Sequence, residues 1–141
     1  MHSHSSSVIA FGLVKNPPPR AVCHTCGFLN DGAPVFDRDV AGPATNLLIS
    51  NSDLGISLAR SLGASNVVLM RSHGSTVVGG SIAQAVYRVV YTEGNARIQA
   101  TALRLGAVTF LSGEESEAAE IGSLPQVERS WEFWKSQVAV D

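Results

Sequence analysis

Residues 67–103 read VVLMRSHGSTVVGGSIAQAVYRVVYTEGNARIQATAL, and the punctuation of this stretch decides the fold. Two runs rich in β-branched and apolar residues, Val67–Met70 and Ser75–Gly79, flank the dipeptide His73-Gly74. That is the pattern of two strands joined by a tight turn, with His73 at a strand end. Beyond them, Ser81 can accept hydrogen bonds from the first free amides of a helix, and no proline interrupts the chain before Gly106. One long helix is the expectation. Ile82, Val86, Val89, Val90, Ala96, Ile98 and Leu105 spread over a broad face of it, which predicts burial from more than one side. Gly94 in its interior costs about 1 kcal/mol relative to alanine, so a close approach by a neighbouring element is expected there.

On the N-terminal side, SNSDLGISLARSLGA (50–64) reads as an amphipathic helix capped by Asn51 or Ser52 and ended by Gly63. Upstream of it, VIAFGLV (8–14) is too short and too uniformly apolar to separate helix from strand. The prolines of NPPPR (16–20) break what precedes them. NDGAP (30–34) reads as a turn, PVFD (34–37) as a short extended piece and AGPATN (41–46) as a loop. On the C-terminal side, VTFLS (108–112) is expected as a strand, SGEESEAAEIGSL (112–124) as a capped acidic helix, and QVERSWEFWKSQVA (126–139) as a separate amphipathic helix carrying both tryptophans. Helices and strands thus alternate irregularly, without a repeat, a linker or a glycine-rich phosphate loop. An α/β or α+β sandwich follows.

The chain has 141 residues, 45% hydrophobic and 16% charged, with a net charge of −2. This fits one globular domain over residues 1–141, and gives no electrostatic reason to expect a nucleic acid or an anionic membrane surface as partner. No apolar run reaches the roughly 18 residues that a membrane-spanning helix needs, and no secretory leader pattern opens the chain. The two cysteines, Cys23 and Cys26, are too close in sequence to staple distant segments, so a reducing, cytoplasmic setting is expected.

Chemistry rests on four histidines, His2, His4, His24 and His73. If residues 1–4 are extended, His2 and His4 project from one face, because side chains alternate along a strand. Two such imidazoles can share a divalent ion, and a third from elsewhere would complete a set of three. By themselves His2 and His4 read first as a solvated end, and His73 first as a polar turn residue. CHTC (23–26) offers soft ligands but lacks the second pair a structural zinc site needs, and PPPRAV before it is not the strand that usually leads into a redox C-x-x-C. The carboxylates of GEESEAAE (113–120) read as a solvated helix face. Glu93 and Arg97, spaced i, i+4, are expected to pair.

The quoted stretch resembles a segment of the class II aldolase/adducin family: a strand, an Arg-x-His-Gly turn, a second strand and a long helix with a Tyr-x-x-x-Asn-Ala-Arg-x-Gln-like pattern. The resemblance runs from His2 to Trp134. It implies a three-layer α/β/α fold with a mostly antiparallel central sheet, and a divalent metal held by His2, His4 and His73. ERSWEFWKSQV (128–138) and CHTCGFLNDGAPVFD (23–37) are similar to segments of the branch that decarboxylates aromatic or pyridine carboxylic acids, which makes His24 a candidate catalytic or substrate-contacting group. Zinc would suit an aldolase and manganese a decarboxylase, which must also hold carboxylate and hydroxyl oxygens. The implied function is a metal-dependent carbon–carbon lyase acting on a small-molecule substrate, a small oxygenated acid of aromatic or polyketide-like type. Alternatives are a non-catalytic adducin-like scaffold, or a cyclase or isomerase using the same site. Relatives carry a further N-terminal segment before His-x-His, with an acid/base glutamate that has no counterpart here, so the match is to the C-terminal two-thirds of the module. The sheet edge left without those strands, together with the family's tetramers, leads us to expect a homo-oligomer.

Overall fold

The structure, a computed structural model, describes residues 1–37 and 46–138. In chain order they form β1 (His2–Ser3), α1 (Ser6–Phe11), a 3₁₀ segment (His24–Leu29), β2 (Val35–Phe36), α2 (Ser52–Leu62), β3 (Val67–Met70), β4 (Gly74–Val77), α3 (Ile82–Leu105) and α4 (Gly113–Ser136). The apolar run at 8–14 is resolved in favour of a helix at its first half. The loop expected over AGPATN lies, apart from Asn46, outside the described residues, as does the last residue of the final helix.

The β3–β4 hairpin is the centre of the sheet, whose strand order is β1-β4-β3-β2. Val67 pairs with Val77 and Met70 with Gly74, antiparallel, and β1 adds to β4 antiparallel with His2 opposite Thr76. Only β2 runs parallel to its neighbour, with Val35 opposite Leu69. All four side chains of β3 are buried. Because alternate residues point to opposite faces, the sheet is covered on both sides. Val67 and Leu69 join Val8, Phe11, Phe28 and Tyr87 in the main core, and α2 packs on β2 and β3. This is the expected layered, mostly antiparallel α/β arrangement. Among the described residues, no helix is long and apolar enough to cross a membrane.

Asn51, rather than Ser52, caps α2, accepting from the Leu54 N–H at 2.9 Å. Ser81 caps α3 as expected, accepting from the Gln84 N–H at 3.1 Å. The buried face of α3 is, however, only partly the expected apolar one: Ala96 is buried and Val89 packs against the core. Ile82, Val90, Ile98 and Leu105 are exposed, whereas Arg88, Thr92, Asn95 and Gln99 are buried. The reason lies in the proline-broken segment facing it. Gln99 accepts from the Arg20 N–H at 2.9 Å and donates to the Pro18 carbonyl at 2.8 Å. One turn earlier, Asn95 accepts from the Val22 N–H at 3.0 Å and donates to the Arg20 carbonyl at 2.7 Å. Two side-chain amides thus pair the edge of residues 18–22 that faces α3, satisfying backbone groups that would otherwise be buried without partners.

Four further expectations are corrected. VTFLS forms no strand, and Leu111 N–H donates to the Ala21 carbonyl at 3.0 Å. The two C-terminal helices are one. A Ser112/Glu115 capping box starts α4, Ser116 and Ser123 pack inward before Pro125, and Val127 and Trp134 pack against the core after it. Contacts on both sides carry the helix through the one amide the proline removes. Glu93 does not pair with Arg97 but turns to α1, as described below. Gly94 admits no close neighbour: a Cβ there would meet nothing within 4 Å.

Candidate metal centre

Residue 74 sets the geometry of the site. Gly74 has φ of +154°, and a Cβ on it would lie 2.0 Å from the Ser3 carbonyl oxygen. A side chain is therefore excluded, and the backbone of β1 can lie against the hairpin. Ser72, with φ of +62°, turns the chain just before His73, whose N–H donates to the Met70 carbonyl at 2.9 Å.

This brings the expected histidines together. The candidate ligand atoms of His2, His4 and His73 all lie within 4.8 Å of one another, with ring centroids 4.6 to 5.0 Å apart. His2 and His4 are exposed and His73 is half-buried, so the cluster sits at the surface. His2 Nδ1 lies 2.9 Å from the Ser75 carbonyl. A carbonyl only accepts, so Nδ1 carries the proton and Nε2 presents a lone pair. That lone pair faces His4 Nε2 at 3.2 Å. Two nitrogens bound to one tetrahedral zinc ion at about 2.05 Å stand roughly 3.3 Å apart. His73 Nδ1 is buried with no hydrogen-bond partner among the described residues. Burial, followed in size by the neighbouring His73 imidazole, holds the His2 ring below its ordinary pKa against the opposing Ser75 hydrogen bond. The set is convergent, and His2 is oriented through a backbone carbonyl, as metal-ligating imidazoles usually are.

His24 is not part of this group. It opens the 3₁₀ segment with its side chain exposed, and its carbonyl accepts from the Ser123 hydroxyl at 3.2 Å.

Two contributors were not legible beforehand. Ser75 acts through its backbone, which no side-chain pattern reports. Glu93 acts at a distance of 86 residues: its Oε2 accepts from the Ser7 and Val8 N–H groups at 3.1 and 3.3 Å. The residue before α1, Ser5, makes no side-chain cap, so the long helix supplies the cap that the short helix lacks. Because only Ser5 separates His4 from α1, Glu93 also fixes where the two N-terminal imidazoles lie. Glu93→Ala is expected to destabilise the fold by about 1 kcal/mol, as loss of a helix cap does. It should also weaken cation binding at the cluster about 10-fold, within the range for groups that orient ligands; urea unfolding and chelator competition measure the two effects. Unchanged binding with normal stability would show that α1 holds its place without the carboxylate.

A layered sheet with a glycine-dependent hairpin and three imidazoles gathered at its turn is an α/β domain organised around a histidine cluster. Residues 1–100 match the family described as Class II Aldolase and Adducin N-terminal domain, and the chain belongs to that family. It is 36% identical to the decarboxylase tropJ of Talaromyces stipitatus over 98% of this chain and 60% of that protein. To the 3,4-dihydroxyphthalate decarboxylase of a Terrabacter species it is 28% identical over 77% of this chain and 42% of that one. Among solved structures, L-fuculose 1-phosphate aldolase has the same fold, with a TM-score of 0.69 at 20% identity over 86% of this chain and 53% of that one. The chain thus spans about two-fifths to three-fifths of the length of these proteins.

Proposed function

We propose that this chain carries the metal centre of a carbon–carbon lyase of the decarboxylase type, acting on a small oxygenated carboxylic acid of aromatic or polyketide-like character. The observation that carries the reading is the convergence of His2, His4 and His73, from segments about seventy residues apart in sequence, with all candidate ligand atoms within 4.8 Å. The decarboxylases among the relatives support the reaction type and the acid substrate. A divalent cation held there, zinc or manganese, would act as a Lewis acid toward the oxygen on which a breaking C–C bond leaves negative charge. The chain's own contribution is to bind and orient. Imidazoles, which ligate a metal as neutral groups, would leave the cation its full charge, and the Ser75 carbonyl fixes the His2 tautomer. His2 and His4, both exposed, leave an approach to the cluster open to substrate. An assisting role for His24 would have to be exercised from outside the cluster.

Elemental analysis of protein purified without a histidine tag tests the centre. Near-stoichiometric zinc, manganese, iron or cobalt, lost in His73→Ala, is expected. Metal-free protein whose thermal stability ignores chelators would leave a scaffold as the better reading. Release of carbon dioxide from a panel of hydroxylated aromatic acids, abolished in the same variant, tests the chemistry. We extend the proposal to a cytoplasmic homo-oligomer, tetrameric by the family resemblance. The exposure of Ile82, Val90, Ile98 and Leu105 along α3 supports self-association, and a monomer at micromolar concentration in sedimentation would refute it.

A further inference from the structure

The CHTC motif has no part in the cluster, and its geometry supports a chemistry of its own. Cys23 is the residue before the 3₁₀ segment and Cys26 lies inside it, and the Cys26 N–H donates to the Cys23 carbonyl at 3.0 Å, closing one turn between them. Both are free thiols, and their sulfurs are 3.3 Å apart. A disulfide bond measures about 2.05 Å, so closure asks the sulfurs to move together by roughly 1.2 Å.

The two sulfurs have unequal surroundings. Cys26 is fully buried, and its thiol lies 3.2 Å from the Tyr91 carbonyl. Cys23 is half-buried, with the Thr25 hydroxyl at 3.3 Å. The Cys26 thiol lowers the pKa of Cys23 to about 6 against the effect of burial, helped by the Thr25 hydroxyl and N–H and by the His24 imidazole. Contact with Cys23 and then burial push Cys26 upward. Two inert core cysteines would both be raised. Here the half-buried sulfur is favoured as the thiolate and the fully buried one as the thiol, which is the division between an attacking and a resolving thiol.

We propose that Cys23 and Cys26 form a redox-active dithiol, converted to an intramolecular disulfide by a small-molecule disulfide of the glutathione type. The Cys23 thiolate attacks one sulfur of the reagent, forming a mixed disulfide and releasing one glutathione thiolate. Cys26 gives its proton to that thiolate through solvent and attacks the Cys23 sulfur. The Cys23–Cys26 bond forms as the bond to glutathione breaks, and a second glutathione thiolate leaves. The protein dithiol is oxidised by two electrons and one glutathione disulfide is reduced to two thiols. The Tyr91 carbonyl on α3 loses its thiol donor in the process.

The test uses the full chain equilibrated at neutral pH in glutathione buffers of graded redox ratio, quenched with acid and followed by intact mass and peptide mapping. The expected result is the loss of two hydrogens per chain, reversible and independent of protein concentration, with the bridge mapped to Cys23–Cys26. Cys26→Ser should stop at a single glutathione adduct on Cys23. Cys26→Ala, which fills the buried position without a polar group, should stop at the same adduct and covers the case in which the serine variant fails to fold. Cys23→Ser should leave Cys26 unmodified in folded protein. Wild-type protein that keeps both thiols alkylatable in oxidised glutathione, or that forms only bridges between chains, would overturn the proposal. No metal or substrate enters the measurement, so its outcome is independent of the lyase reading.

Discussion

Gly74→Ala is expected to abolish the cation binding proposed for the imidazole cluster while leaving most of the fold in place. The added Cβ would lie 2.0 Å from the Ser3 carbonyl oxygen, a backbone atom that cannot rotate aside. At φ of +154° an L side chain also carries strain of about 1–3 kcal/mol. The structure relieves the overlap most cheaply by releasing β1, whose two residues pair only with β4 among the described strands. His2 and His4 leave with it. His73 alone then remains, and affinity should fall by at least about 100-fold, the upper range for a misplaced ligand shell. Gly94→Ala is the matched control. Its Cβ meets nothing within 4 Å inside an α-helix, so stability should rise by about 0.5–1 kcal/mol with binding unchanged. Chelator competition reads the affinity and circular dichroism the helix content. Full cation affinity in Gly74→Ala would mean that the hairpin does not need β1 so close, and the account of the His-Gly turn would fail.

Much of this was legible because the relevant signals are local. The β3–β4 hairpin, the Ser81 start of α3 and the Gly63 end of α2 each depend on residues within a few positions of one another, and each stands where the pattern put it. The gathering of His2, His4 and His73 required a strand pairing across about seventy residues, which the family resemblance supplied and spacing alone did not. Two differences, the buried face of α3 and the partner of Glu93, share one physical cause. Among the described residues no strand lies along the α3-facing edge of residues 18–22, so the backbone groups on that edge of a proline-broken segment recruit the polar side chains of α3. The helix accordingly turns Asn95 and Gln99 inward and leaves Ile98 outside, the reverse of what an apolar periodicity assumes. Glu93 was drawn to the amides of α1 for a similar reason. At both places, the demand for hydrogen-bond partners of backbone far away in sequence overrode the local rule.

That demand can be measured. Replacing Gln99 with methionine keeps side-chain length while leaving the Arg20 N–H and the Pro18 carbonyl without partners, and Asn95→Leu does the same to the Val22 N–H and the Arg20 carbonyl. A buried polar backbone group left unpaired costs about 1–3 kcal/mol. Each variant should therefore lose about 2–4 kcal/mol in urea unfolding, partly offset by the added apolar contact. The two should not add. Once either amide is gone, the segment can lift from α3 and regain water, so the second loss should cost about 1–2 kcal/mol less than it does alone, within the coupling range of residues that share a partner. Arg20 is that shared partner, giving its N–H to Gln99 and its carbonyl to Asn95. The acidic variants separate hydrogen bonding from shape. Gln99→Glu keeps the acceptor for the Arg20 N–H but turns a carboxylate oxygen toward the Pro18 carbonyl, and in a fully buried position it should destabilise at least as much as methionine at pH 7 and less at pH 4, where the protonated acid can donate again. Strict additivity of the two apolar variants, or losses below 1 kcal/mol for each, would show that residues 18–22 are held by packing rather than by the two amides.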